Sequence, residues 1–156
     1  MLDILHKSSS HVQIETEKVI FHKIEELLKV KLDKNKRIYL NENTNTYIQP
    51  DFYSEEHCIV GEIFAHIGKP KKSQDNKIAN DVLKMILLDK VKNKKHRKII
   101  VVCDTFELKK LQGNSFLAES IRQFSVELIC VDIDDNTRSK VLEAQKLQKM
   151  TNVSNS

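Results

Sequence analysis

The feature that most constrains the fold is an unbroken β-branched run, KIIVVC, at Lys98–Cys103. Strict alternation of apolar and polar residues marks a strand with one buried face, whereas an unbroken run is typical of a strand covered on both faces. Two further runs, Cys58–Ile67 and Val126–Ile133, have the same apolar character. Segments with helical spacing separate the three runs. The sequence therefore predicts an α/β protein whose later strands pair in parallel, with helices on the faces of the sheet.

Shorter elements complete a predicted order of α-β-β-β-α-β-α-β-α. Apolar residues recur at helical spacing in a first helix, His11–Leu32, and in a second helix, Lys77–Val91, for which Ser73 is the predicted N-cap. The remaining predicted elements are strands at Arg37–Asn41 and Thr46–Gln49, a polar connection at Asp51–His57, short helices at Thr105–Gln112 and Ser115–Phe124, and a final helix at Asn136–Met150. The three adjacent strands suggest a meander.

Composition indicates one soluble domain. The chain has 156 residues, of which 40% are hydrophobic and 31% charged, and this balance suits a single core. We expect one domain over residues 1–150 and a disordered polar tail at residues 151–156. No apolar run approaches the ~20 residues of a membrane helix, and the N-terminus lacks a signal-peptide pattern. With three cysteines in apolar surroundings, these features predict a cytoplasmic protein with reduced thiols and no membrane contact.

Three acidic residues occupy places where apolar or structural residues are the default. Glu62 interrupts the apolar run at Cys58–Ile67, Asp51 follows Pro50 after a predicted strand, and Glu17 lies close to the buried face of the first helix. A carboxylate in a buried strand is costly unless it is paired or binds a cation. If the second and third strands form a hairpin, Asp51 and Glu62 come close, and a divalent cation such as Mg²⁺ would relieve their repulsion.

Pro50-Asp51, followed by Glu62 within an apolar strand, resembles the motif of the PD-(D/E)xK nucleases. The predicted elements from His11 to Cys103 also follow the α-β-β-β-α-β order of their restriction-endonuclease-like core. The resemblance implies a central mixed sheet flanked by helices, with Asp51 and Glu62 binding Mg²⁺ or Mn²⁺ and Glu17 assisting. It also implies an endonuclease that hydrolyses phosphodiester bonds in DNA. A homodimer and partner proteins of a defence or restriction-like system are further expectations.

The chain departs from the family at the motif lysine. The family places lysine two residues after the glutamate, where this chain has Phe64. In divergent members a lysine or glutamine from the following helix takes its place, so Lys77 and Gln74 are candidate catalytic residues and Lys69 is a third option. We favour Lys77. The missing lysine also supports a second hypothesis, in which the chain is a catalytically inactive nucleic-acid-binding or assembly subunit with the same fold.

Two lysine clusters are candidate contacts for a nucleic-acid backbone. The candidate residues are Lys69, Lys71, Lys72, Lys94 and Lys95. Solvated loops explain each cluster, taken alone, at least equally well.

Two other polar residues have ordinary explanations. His66 shares a strand face with Glu62 and is a candidate ligand or acid/base group, but a hydrogen-bonded core histidine is the preferred interpretation. Asp104 follows a buried strand, where α/β proteins bind small molecules, yet it also suits a helix N-cap, which we prefer.

Overall fold

A computed structural model describes residues 2–69 and 71–154, with side chains described for residues 9–69, 71–150 and 152. Within these residues the chain forms a five-stranded mixed sheet with helices on both faces, together with a separate two-stranded hairpin. The predicted α/β class and central mixed sheet are therefore confirmed. None of the described helices combines the length and the apolar character needed to cross a membrane.

Five helices and seven strands make up the described part of the chain. The helices are α1 (Leu2–Leu28), α2 (Lys72–Lys92), α3 (Thr105–Leu111), α4 (Phe116–Gln123) and α5 (Asp135–Ser154). The strands are β1 (Asp33–Lys34), β2 (Ile38–Asn41), β3 (Thr46–Ile48), β4 (Phe52–Ser54), β5 (Ile59–Phe64), β6 (Arg97–Val102) and β7 (Val126–Cys130). The element order is therefore longer than the predicted one.

The main sheet has the strand order β1-β4-β5-β6-β7. β1, β4 and β5 pair antiparallel, whereas β5, β6 and β7 pair parallel, as the alternation of strands and helices predicts. Residues of β6 alternate between two cores. Ile100 and Val102 pack with α2, α3 and α4, whereas Ile99 and Val101 pack with α1 and α5. The β-branched run is buried on both faces for this reason.

The first two predicted strands do not belong to the main sheet. β2 and β3 pair only with each other, and Ile38 and Ile48 pack this hairpin against the α2 side of the core. β4 takes their expected place beside β5, although it lies in the predicted polar connection. All three residues of β4 are buried. A three-residue strand is too short for periodicity to reveal it, because the charged turn that follows dominates the local composition.

Helix boundaries differ from the prediction at several ends. α1 begins at Leu2 and ends at Leu28. Ser73 is not an N-cap, because α2 begins at Lys72 and is capped by Lys71. The predicted tail at residues 151–156 lies partly in α5, which continues to Ser154, and partly outside the described residues.

A close contact between Phe52 and Gly61 sets the position of the chain that enters β4. These two residues face each other across the β4–β5 ladder. A Cβ atom at Gly61 would lie 1.9 Å from Phe52 Cζ, so the ring occupies the space that any larger residue would need. The phenyl ring is fully buried. This contact holds the residue before Phe52 at a defined place beside β5.

Candidate functional site

The structure brings Asp51 and Glu62 into contact. Because Phe52 pairs with Gly61 in antiparallel register, Asp51 comes opposite Glu62 at the point where β4 begins. The Ile63 backbone N–H donates a hydrogen bond of 2.7 Å to Asp51 Oδ2. The Glu62 carboxyl group lies within hydrogen-bonding range of the Asp51 carboxyl group. The pair expected from the sequence thus forms through β4 rather than through the predicted strand at Thr46–Gln49.

The Glu62 carboxyl group favours its protonated form. Burial, followed by the neighbouring charges of Asp51 and Asp81, raises the pKa of Glu62 to about 9. A carboxyl group can donate a hydrogen bond to another carboxylate only when it is protonated. With a pKa of about 9, Glu62 keeps its proton at neutral pH, and a cation bound at this place would displace that proton.

Two further acids lie around this pair, one from each face of the sheet. Glu17 is half-buried on α1. Its pKa is raised, mainly by burial and to a smaller extent by the neighbouring charge of Asp51. Asp81 is buried on α2, where burial again raises the pKa and Asp51 adds to the effect. Glu17 was expected from the sequence, whereas Asp81 was not among the predicted site residues. Its position three residues after Ile78, within the apolar stripe of α2, was the signal of its burial.

Lys77 reaches the site from the second turn of α2. Its Nζ atom lies 5.7 Å from the centroid of the Phe64 ring, the residue at the family's lysine position. The charge of Lys77 also lowers the pKa values of Glu17 and Asp81, although burial outweighs it in both. The ammonium group therefore lies over the aromatic ring and within electrostatic range of Glu17 and Asp81.

The other two lysine substitutes are placed differently. Gln74 Oε1 accepts a hydrogen bond of 2.8 Å from the Lys71 backbone N–H, an interaction that stabilises the start of α2. Gln74 therefore acts in helix capping. Lys69 is exposed beyond the end of β5, and no ion pair joins it to Glu62 or Asp51 in the described part of the chain.

The donor set suits an ion that needs few protein ligands. Among the residues with described side chains, no group of three or more His, Cys, Asp or Glu side chains is close enough to hold a metal ion. Mg²⁺ is commonly bound through one or two carboxylates, with water and substrate phosphates completing its octahedral shell. Asp51 and Glu62 fit this requirement because their carboxyl groups lie side by side, where β4 begins beside β5. Glu17 and Asp81 lie where they could hold coordinated water.

The two predicted lysine clusters lie at opposite ends of α2. Lys71 and Lys72 are exposed where the helix begins, close to Lys77, whereas Lys94 and Lys95 are exposed after it ends. A helix of 21 residues is about 30 Å long at a rise of 1.5 Å per residue. The candidate contacts from the first cluster are therefore on the same side as the carboxyl pair.

The interpretations of Asp104 and His66 from the sequence differ in how well they agree with the structure. Asp104 is the N-cap of α3, as predicted, because its Oδ1 accepts a 2.8 Å hydrogen bond from the Phe106 backbone N–H. His66 is half-buried and stacks on Phe64 with the ring centroids 5.8 Å apart. The Nδ1 atom of His66 is buried without a hydrogen-bond partner. The interpretation as a hydrogen-bonded core histidine is therefore wrong, since burial was expected to bring a partner.

Comparisons with protein-family models, with curated proteins and with solved structures found no significant match to this chain.

Proposed function

We propose that this chain is a metal-dependent nuclease with a restriction-endonuclease-like fold that hydrolyses phosphodiester bonds in DNA. The observation that carries the proposal is the contact between the Asp51 and Glu62 carboxyl groups, with Lys77 over the ring at the lysine position. Element order adds support. Without the β2–β3 hairpin, the main-sheet elements from α1 to β6 follow the order α-β-β-β-α-β.

Each residue has a role that its geometry suits. Bound Mg²⁺ or Mn²⁺ would supply an activated water and stabilise the charge of the reacting phosphodiester. Asp51 and Glu62 would hold the ion, with the Ile63 N–H fixing the orientation of the Asp51 carboxylate. Lys77 would orient the attacking water or the scissile phosphate through its positive charge. Glu17 would hold water on the α1 side of the pair.

The test is a cleavage assay with the purified chain. Plasmid, linear duplex and single-stranded DNA, together with RNA, are incubated with Mg²⁺ or Mn²⁺. We expect DNA cleavage by the wild type and a loss of about a hundredfold or more in Asp51→Asn and in Glu62→Gln, since each removes a negative ligand and preserves shape. Glu56→Gln, at an exposed position in the turn after β4, is the matched control. Cleavage that survives both site substitutions would overturn the proposal.

A second candidate function is that of an inactive nucleic-acid-binding or assembly subunit. Phe64 in the lysine position favours it, as does an apolar stripe on the solvent side of α2. Leu83, Leu87 and Val91 recur every four residues there, with exposed fractions of 62%, 41% and 41%. Such a stripe fits a second copy of the chain. Nucleic-acid binding without cleavage, unchanged by Asp51→Asn, would favour this function.

A homodimer would bring two of these sites together. Cutting both strands of a duplex requires two sites, so we propose a homodimer that acts within a defence or restriction-like system. Light scattering after gel filtration tests the dimer. Leu87→Lys on the apolar stripe should then convert it to a monomer, because the substitution places a charge in the interface core.

A further inference from the structure

A cleft with a volume of about 200 Å³ opens beside Lys77. It lies between α1, α5, the end of β5 and the first turns of α2. Apolar side chains, including Val12, Phe64 and Ala144, line part of it, and amide side chains such as Gln13 and Gln148 line the rest. Pockets for drug-sized ligands begin at about 300 Å³, so this cleft suits a ligand of one ring system.

Two polar groups in the cleft have no partner in the described part of the protein. The Nδ1 atom of His66 is buried without a hydrogen bond. The Gln148 side chain makes no hydrogen bond among the described residues. Gln145 on the same helix is different, because its amide group donates to the Ile67 carbonyl and accepts from the Ile67 N–H, both at 2.9 Å. Buried polar atoms normally find partners, so the unpaired His66 Nδ1 atom indicates a ligand with a complementary group, and the exposed Gln148 amide is available to hydrogen-bond to that ligand.

Aromatic rings form one wall of the same cleft. The rings of Phe64 and His66 stack with an interplanar angle of 26°, and both residues line the cleft. Phe64 is 7% exposed, with His66 stacked on its ring and Lys77 over it, so the half-buried His66 ring is the one available to a base. A ring face beside amide groups is the combination by which proteins hold unstacked nucleic-acid bases, since the ring takes the base plane and the amides take its edge.

The cleft is continuous with the carboxyl site through Lys77. This lysine lines the cleft and is also within electrostatic range of Glu17 and Asp81. A phosphate held at Lys77 therefore lies within one nucleotide of a base placed in the cleft.

We propose that this cleft binds a single unstacked base next to the phosphate held at the carboxyl site. The preferred substrate is then a single-stranded or locally unpaired nucleic acid, since pairing must be broken before a base can enter. The inference rests on the proposed function for the place of the phosphate. Base binding in the cleft is nevertheless measurable without any cleavage.

The experiment measures binding of a fluorescein-labelled single-stranded DNA, and of the same strand annealed to its complement, by fluorescence anisotropy. The full chain carries Glu62→Gln, so that cleavage does not disturb the measurement. We expect the single strand to bind about tenfold more tightly than the duplex. Gln148→Leu and Ala144→Leu should each weaken single-strand binding about fivefold or more. Gln112→Leu, an exposed position outside the cleft, is the matched control and should change nothing.

Equal affinity for the two DNAs, or single-strand binding unaffected by both cleft substitutions, overturns the inference. Thermal unfolding reports whether the variants fold. If Ala144→Leu does not fold, the Gln148→Leu variant decides the outcome, because Gln148 is exposed. Failure of the two proposals is distinguishable. Cleft-dependent binding without wild-type cleavage supports the base site and contradicts the nuclease. Cleavage of duplex DNA that the cleft substitutions do not change, together with no preference for single strands, supports the nuclease and contradicts the base site.

Discussion

Two groups of buried charges lie along α2, and they differ in how the charges are matched. At the end of the helix, Asp89 Oδ2 lies 2.5 Å from Lys98 Nζ, and Asp89 Oδ1 lies 2.8 Å from His96 Nδ1. Burial alone would raise the pKa of Asp89, but hydrogen bonds from Lys98 and His96 outweigh it and hold the pKa below its ordinary value. Around Glu62, in contrast, acids face acids and the pKa of Glu62 rises to about 9.

The difference distinguishes buried charges that stabilise the fold from buried charges that suit a binding site. Lys98 is 4% exposed and paired with Asp89, so it belongs to the core, unlike the exposed Lys94 and Lys95 that precede it. Arg97 is likewise paired with Glu127. A matched network supports the fold, whereas a carboxyl group that burial and neighbouring acids keep protonated is typical of sites that bind a further group.

The largest expected effect comes from breaking the matched network. Asp89→Ala leaves the Lys98 ammonium group buried without its partner, and we expect the free energy of unfolding to fall by about 3–5 kcal/mol in urea denaturation. Glu127→Ala breaks the half-exposed pair with Arg97 and should cost less than about 1 kcal/mol. Similar losses in the two variants would contradict the distinction between the buried and the exposed ion pair.

The unmatched site should instead make stability depend on pH. The pKa of Glu62 is about 9 in the folded chain against an ordinary 4.5, so the folded state keeps a proton that the unfolded state releases. Stability therefore falls as pH rises between these values. From about pH 6 to about pH 8, the wild type should lose up to about 2.7 kcal/mol more than Glu62→Gln in urea denaturation.

Added Mg²⁺ should restore wild-type stability at the higher pH, because an ion that binds only the folded state stabilises it. Glu62→Gln should not respond in this way. Parallel pH profiles for the two proteins would contradict the raised pKa of Glu62.

Lys77 offers a smaller test of the same site. Lys77→Met keeps an unbranched chain over Phe64 and removes the charge, so DNA cleavage should fall about tenfold or more in initial-rate assays. Phe64→Lys combined with Lys77→Met should recover part of the activity, because it returns the charge to the strand. Lys90→Met, exposed near the end of α2, serves as control. An equal loss in Lys77→Met and Lys90→Met would remove Lys77 from the site.

The smallest effect separates the two lysine clusters. Replacing Lys71 and Lys72 with glutamine should weaken DNA binding and reduce its salt dependence, by about one unit of log–log slope for each phosphate that the protein no longer neutralises. Replacing Lys94 and Lys95 in the same way should change little, since they lie beyond the far end of α2. The reverse result would place the nucleic acid at the matched end of the helix.

The long periodic elements could be predicted well, because burial of a helix face or of a whole strand repeats along the chain. The α2 stripe of Ile78, Val82 and Met85 and the β-branched core of β6 are both buried where expected. β4 could not be predicted, because Phe52 and Tyr53 are too few to show a period. Because β4 was not predicted, the strand that carries Glu62 was assigned the wrong partner. The approach of Asp51 to Glu62 was nevertheless anticipated.

The sequence by itself determined the α/β class, the parallel strands and the oddity of Glu62, since these follow from local periodicity and from the cost of burying charge. Only the tertiary structure decided which charges meet. Asp51 reaches Glu62 because Phe52 packs on Gly61, and Lys77 reaches Phe64 because α2 crosses that face. Lys98 is paired because the last turns of α2 carry Asp89 to it. Charge matching depends on side chains distant in sequence, and only the folded chain brings them together.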